Sequence, residues 1–124
     1  MIRPEDYHGV GSFPSARSRS DGRRFDHDVV IEKGRIRRRK KGPSKKQRAA
    51  YGHTPLTPDE AVPWSAPLLI VGTGASGQLP ITDELYRAAA KRRVEVVARP
   101  TAEACELLAA ADRKSVAAIL HVTC

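Results

Sequence analysis

Residues 67–85 read PLLIVGTGASGQLPITDEL. Leu68–Val71 is a continuous apolar run, the pattern of a strand buried on both faces of a parallel sheet. Gly72, Gly74 and Gly77 follow in G-x-G-x-x-G spacing, and a helix signal begins at Thr82. The stretch is therefore either a dinucleotide-binding turn or a plain strand-to-helix connection. In the first case the helix opens among the glycines, so that its free N–H groups face the pyrophosphate. Here Gln78-Leu79-Pro80 intervene, Thr82 is the N-cap, and Asp83 and Glu84 fill the first turn, where the helix dipole favours acids. Arg99 stands where the ribose-binding acid of such a site belongs, although an arginine there can suit a 2′-phosphate, and no lysine follows the glycines at P-loop spacing. The glycines are read as allowing a sharp turn and close backbone approach. A narrower reading stays open. Gly72, Thr73, Gly74, Ser76 and Gly77 lie at the carboxyl end of a strand, where open α/β sheets hold ligands, and can seat a small anion or nucleotide phosphate.

Working outward, Leu85, Ala88 and Ala89 give the first helix its apolar stripe, and Lys91, Arg92 and Arg93 mark its end. Val94–Ala98 is a second strand, stopped by Arg99-Pro100. Thr101 is expected to cap a second helix carrying Ala104, Leu107, Leu108 and Ala111 at i, i+3, i+4, i+7 spacing. Val116–Val122 is a third strand. A β-α-β-α-β order requires parallel strands joined by right-handed crossovers. Upstream, Val29–Ile31 and Arg35–Arg39 flank a Glu32-Lys33-Gly34 turn, which predicts a hairpin with Ile36 inward and its arginine neighbours outward. The expected architecture is a single three-layer α/β domain with a central mixed sheet of about five strands. Residues 1–25 are expected to be largely irregular, with one short strand near Tyr7–Val10. Residues 40–66 are expected to form a mobile basic and proline-rich connection in which Thr57 caps a turn containing Asp59, Glu60 and Ala61. Residues 67–124 are the β-α-β-α-β core.

The chain has 124 residues, 40% hydrophobic and 29% charged, enough for one core and too few for two. No apolar run approaches the length of a membrane helix, and no secretory h-region opens the sequence. Cys105 and Cys124 alone make no disulfide framework, so a reducing cytoplasm is the expected compartment. The net charge of +8 is uneven. Residues 1–66 hold 15 Lys and Arg against 8 Asp and Glu, whereas residues 67–124 hold 7 against 6. Most of the excess lies in RIRRRKKGPSKKQR, residues 35–48, where nine of fourteen residues are cationic and none is acidic.

The stretch DVVI at 28–31, Gly52-His53, the glycine loop from Gly72 to Gly77 and the ending His121-Val122-Thr123-Cys124 together resemble a family. It is the family of small α/β domains of unknown function that includes the adipogenesis-associated protein and the mitochondrial NADH dehydrogenase (complex I) assembly factor 3. The resemblance runs from about Asp26 onward and implies a compact three-layer α/β fold around a mixed sheet. It brings no catalytic residue set, and its eukaryotic members are associated with protein assembly or cell differentiation. The basic run departs from the family's usual pattern, so its role belongs to this branch.

Catalytic constellations are thin. His121 and Cys124 can bring an imidazole near a thiol, but a pair lacks the third group of a nucleophilic or metal site. Cys105, beside a helix stripe, reads as a small core hydrophobe. Asp26, His27 and Asp28 read as a turn before a strand, and no metal or cofactor is expected. The resulting expectation is a non-enzymatic protein-interaction or assembly-type factor. Arg37, Arg38, Arg39, Lys40, Lys41, Lys45, Lys46 and Arg48 form its candidate basic interaction surface. Those cations alternatively bind nucleic acid electrostatically, although helix-turn-helix and aromatic sheet motifs are missing. No membrane partner is expected.

Overall fold

The computed structural model describes residues 27–52, 54–112 and 114–122. The expected strand near Tyr7–Val10 and the segment 1–25 lie outside the described residues, as do His53, Thr123 and Cys124. The first two strands, β1 (Val29–Glu32) and β2 (Arg35–Arg38), form an antiparallel hairpin. Its two-residue turn needs positive φ at both positions, and Lys33 and Gly34 adopt φ 54° and 76°. That turn geometry matches the twist of the flanking strands. Ile36 pairs with Ile31 and packs against the core, as expected.

Where a loop is expected after the hairpin, the chain coils. A 3₁₀ helix spans Gly42–Gln47, with Pro43 in its first turn, and runs into a short α1 (Arg48–Tyr51). Gly52, at φ 75°, ends α1 in the left-handed conformation. The remaining elements are β3 (Leu68–Thr73), α2 (Asp83–Lys91), β4 (Glu95–Arg99), α3 (Thr101–Ala110) and β5 (Val116–His121). The sheet order is β2-β1-β5-β3-β4. The last strand is therefore central, parallel to β3 on one side and antiparallel to β1 on the other. Its run Val116–His121 is buried throughout, which explains a sequence with no polar alternation before its final residue.

The two crossovers run in opposite directions along the sheet, from β3 out to β4 and from β4 back over β3 to β5. One hand of crossover then places the two helices on opposite faces. Ala104, Cys105 and Leu108 of α3 pack with Val29, Ile31, Ile70, Ala118 and Leu120. Leu85 and Ala89 of α2 pack on the other face with Val30, Leu69, Val71 and Ile119, joined there by Leu56, Val62 and Ala66 of the proline-rich connection. Thr82 caps α2 as expected, its hydroxyl accepting from the Leu85 N–H.

Two helix details differ from the sequence reading. The N-cap of α3 is Pro100, and Thr101 is its first residue. The buried stripe of α3 is Thr101, Ala104, Cys105 and Leu108, leaving Leu107 42% exposed. Thr101 lies against Gly72, where a Cβ would meet Leu120 Cδ2 at 2.8 Å and Thr101 Oγ1 at 3.0 Å. That contact sets the rotation of the helix.

Candidate functional site

Every strand except β1 ends, and β1 begins, at one edge of the sheet. The registers make this edge polar. Val29 pairs with Arg38 on one side and with Leu120 on the other, so Asp28, one residue earlier, lies beside both Arg39 and His121. Directly opposed residues share a face. All three lie on the face that carries Val30, Ile119 and the proline-rich connection, which contributes Glu60. The result is a buried polar cluster in which Asp28, Arg39, Ser44, Thr57, Glu60 and His121 are each no more than 8% exposed.

Arg39 is its hub. Its Nε and Nη2 donate to the two Glu60 oxygens at 2.7 and 2.9 Å, a forked pairing, and Nη1 donates to Asp28 Oδ2 at 2.9 Å. Nη2 also donates to the Pro55 carbonyl at 3.1 Å. Burial works against the guanidinium charge, yet the Glu60 hydrogen bond and charge, and then Asp28, push the Arg39 pKa up. Asp28 accepts in addition from the Val122 N–H at 3.0 Å and pairs with His121 Nδ1 at 2.8 Å. Burial alone would raise the Asp28 pKa, but the His121 hydrogen bond and charge, the Val122 N–H and Arg39 together hold it down to about 2. An ionised Asp28 only accepts, so His121 Nδ1 is the donor in this pair. Ser44 donates to Glu60 Oε2 at 2.6 Å and shares a 2.7 Å hydrogen bond with the Thr57 hydroxyl. Thr57 in turn accepts from the Asp59 N–H at 3.2 Å, the turn expected from the sequence.

This arrangement redistributes the candidate residues. Arg39 is 5% exposed and cannot contact a partner, which corrects its place on the basic surface. Arg37, half-buried, donates to the Ala61 carbonyl and lies 3.8 Å from Glu32, while Lys46 pairs with Asp59 at 3.4 Å. Arg38, Lys40, Lys41, Lys45 and Arg48 are exposed and form no ion pair among the described residues. Arg38, Lys40, Lys41 and Lys45, with His27 and Gly42, line a cavity of about 410 Å³ whose wall also includes Asp28 and Arg39.

The glycine loop lies at the same edge of the sheet. Gly74 and Gly77 adopt φ 103° and 69°, the turn role expected of them. The Gly74 N–H donates to Thr101 Oγ1 at 2.8 Å and the Gly77 N–H to the Gly74 carbonyl at 3.2 Å. Thr101 Oγ1 also donates to the His121 carbonyl at 2.6 Å, tying loop, helix and central strand together. Sequence reasoning passed over Asp28, Glu60 and Ser44 as site residues. A signal was present: extending the hairpin and sheet ladders by one pair aligns Asp28 with both Arg39 and His121.

Comparison with known proteins agrees with this fold. The crystal structure of the conserved hypothetical protein PH1505 from Pyrococcus horikoshii OT3 is similar, with 37% identity and a TM-score of 0.69. The match covers 86% of this chain and 91% of that one. A second structure, MT938, shares the fold at 24% identity and a TM-score of 0.52, covering 86% of this chain and 89% of its own. No curated protein matches. The family model described as "Protein of unknown function (DUF498/DUF598)" matches residues 12–121, and the chain belongs to that family.

Proposed function

We propose that this chain is a non-enzymatic protein-interaction domain that docks an acidic segment of a partner protein on the basic face of Arg38, Lys40, Lys41, Lys45 and Arg48. The observation that carries this reading is the anchoring of the cationic run. Arg39 and Ser44, in the middle of it, are buried and bonded to Asp28, Glu60 and Thr57. The flanking cations are thereby held on a folded surface, and a fixed charged face suits docking better than a solvated tail does.

Three points support a protein partner. Among the described residues the centre of the sheet is covered on both faces by helices or the proline-rich connection, and the exposed strand β2 carries no aromatic residue on which bases could stack. Trp64 is already engaged, its ring lying under the Arg92 guanidinium at 5.0 Å. The resemblance to a family with an assembly factor points the same way. The non-enzymatic reading draws on the state of the chemical groups. Asp28 and Glu60 are committed to Arg39, and burial, then the Glu106 charge, pushes the Cys105 thiol up to about 12, where it is a poor nucleophile. The anion-cradle reading of the glycine loop has less support, because the Gly74 and Gly77 N–H groups already have acceptors. A reducing cytoplasm is the proposed compartment, supported by Cys105 being a free, buried thiol. No helix among the described residues is long and apolar enough to cross a membrane.

The test is capture of partners from native lysate, with and without nuclease, by the tagged full chain and by R38Q/K40Q/K41Q/K45Q/R48Q. The expected result is a set of proteins held by the parent, released by salt and absent from the variant. Recovery of nucleic acid that disappears with nuclease, or equal capture by the variant, overturns the proposal.

A further inference from the structure

The cavity at the end of β2 gathers more charge than its walls neutralise. Arg39 answers to Asp28 and Glu60. Arg38, Lys40, Lys41 and Lys45, which also line it, have no carboxylate partner among the described residues. Like charges gathered around a concavity repel one another and focus a positive potential into it. The volume, about 410 Å³, falls in the range of small-molecule sites.

The backbone that carries these cations is pinned at both ends. Before Lys40, the Arg39 N–H donates to the Asp28 carbonyl at 2.9 Å and its side chain is clamped. After Gly42-Pro43, Ser44 is fully buried, donates to Glu60, and its N–H donates to the Lys41 carbonyl at 2.9 Å. The segment 40–43 therefore needs little ordering on binding, which favours a discrete site over diffuse attraction.

The donor set selects the ligand. A single carboxylate offers one charge, whereas a phosphate ester carries close to two charges and three acceptor oxygens at neutral pH. Three ammonium groups and one guanidinium are matched by more than one phosphoryl group, with Arg38 as the forked donor and the lysines as point charges. We propose that this cavity is a binding site for the phosphate groups of a small phosphorylated molecule, of diphosphate size. The site shares Arg38, Lys40, Lys41 and Lys45 with the proposed docking face, but it rests on the cavity and its anchors and is tested on the isolated protein, so the failure of one reading is distinguishable from the failure of the other.

Calorimetric titration at constant ionic strength distinguishes the sources of phosphate. Its arms are sodium pyrophosphate, inorganic phosphate and a short single-stranded RNA, each against the parent chain, R38Q/K41Q/K45Q and the charge-matched K46Q/K91Q/K114Q. The second variant removes basic residues that do not line the cavity. The expected result is one pyrophosphate per chain and weaker binding of phosphate. The cavity variant loses affinity at least about tenfold, and the outer variant stays within about twofold. All substituted side chains are exposed, so the variants should fold, and a thermal melt of each verifies it. No binding of pyrophosphate by the parent overturns the proposal. So does an equal loss in both variants, which assigns the effect to overall charge. RNA binding that outcompetes pyrophosphate also overturns it, by making a nucleic-acid backbone the ligand.

Discussion

Replacing Arg39 by methionine keeps most of the side-chain volume and removes the one cation that two buried carboxylates share. In the parent chain Asp28 and Glu60 are separated from water and face Arg39 at 2.9 and 2.7 Å. Breaking a buried ion pair from one side costs about 3–5 kcal/mol, because the remaining charge is left uncompensated. For a chain of this size about 4 °C of Tm accompanies each kcal/mol, so R39M should melt about 12–20 °C lower at pH 7. The pH dependence provides the sharper check. Asp28 titrates at about 2 in the folded chain against the usual 3.8. A depressed carboxyl pKa contributes stability above the unfolded value, lost as pH falls through the folded one. The gap corresponds to about 2–3 kcal/mol that disappears between about pH 5 and pH 1. In R39M one of the charges holding Asp28 down is missing, so the variant has less acid-sensitive stability to lose. The two Tm curves should therefore converge from pH 7 toward pH 3. Adding Glu60→Gln should recover part of the loss at pH 7 by removing one uncompensated charge. The assay is thermal unfolding followed by circular dichroism across that range. A Tm loss under about 4 °C, or a difference as large at pH 3 as at pH 7, would refute the reasoning.

Gly72→Ala should cost about 1–3 kcal/mol, since its Cβ would lie 2.8 Å from Leu120 Cδ2 and 3.2 Å from the Thr101 Cα. Gly42→Ala, with open space around its Cβ, should be close to neutral in the same denaturant titration. Thr101→Val removes both the acceptor of the Gly74 N–H and the donor to the His121 carbonyl. A loss of about 1–3 kcal/mol is expected, with faster amide exchange at Gly74 as the local readout. Native Cys105, in a Cys124→Ser background, should resist thiol-labelling reagents at pH 8 and react at once in denaturant, since its thiol is buried and titrates at about 12.

β1, β3, β4 and β5 were legible from apolar runs bounded by turn signals, β2 from the Lys33-Gly34 turn before it, and α2 because Thr82, Asp83 and Glu84 mark its start. The phase of α3 was not. Its sequence supports two stripes, one through Leu107 and Ala111 and one through Thr101 and Cys105. The close contact of Thr101 with Gly72, made by residues far apart in the chain, selects the second. The central place of β5 was likewise hidden, because strand order follows from crossover direction rather than from any residue in the strand. Arg39 shows a different kind of miss. Alternation correctly put it on the face opposite Ile36, which the hairpin alone leaves open to water. That face is covered at its end by the proline-rich connection, whose Glu60 arrives twenty-one residues later.

The anchoring of the cationic run also bears on why it is there. A stretch with nine cations in fourteen residues gains no core and repels itself, so it stays on the body of the protein only where something holds it. Arg39 and Ser44 do that, through Asp28, Glu60 and Thr57. Yet a buried arginine between two carboxylates is a weak source of net stability, and apolar residues of the same shape often do as well. If the fold alone mattered, the cheaper arrangement would be a short polar turn in place of residues 39–48. Local departures of this kind from the most stable solution are expected where a surface has a task. On the proposed phosphate-site reading, the polar hub is the mounting of the lysines beside it. Its loss by Arg39→Met should therefore weaken pyrophosphate binding as well as folding, even at temperatures where the variant remains folded.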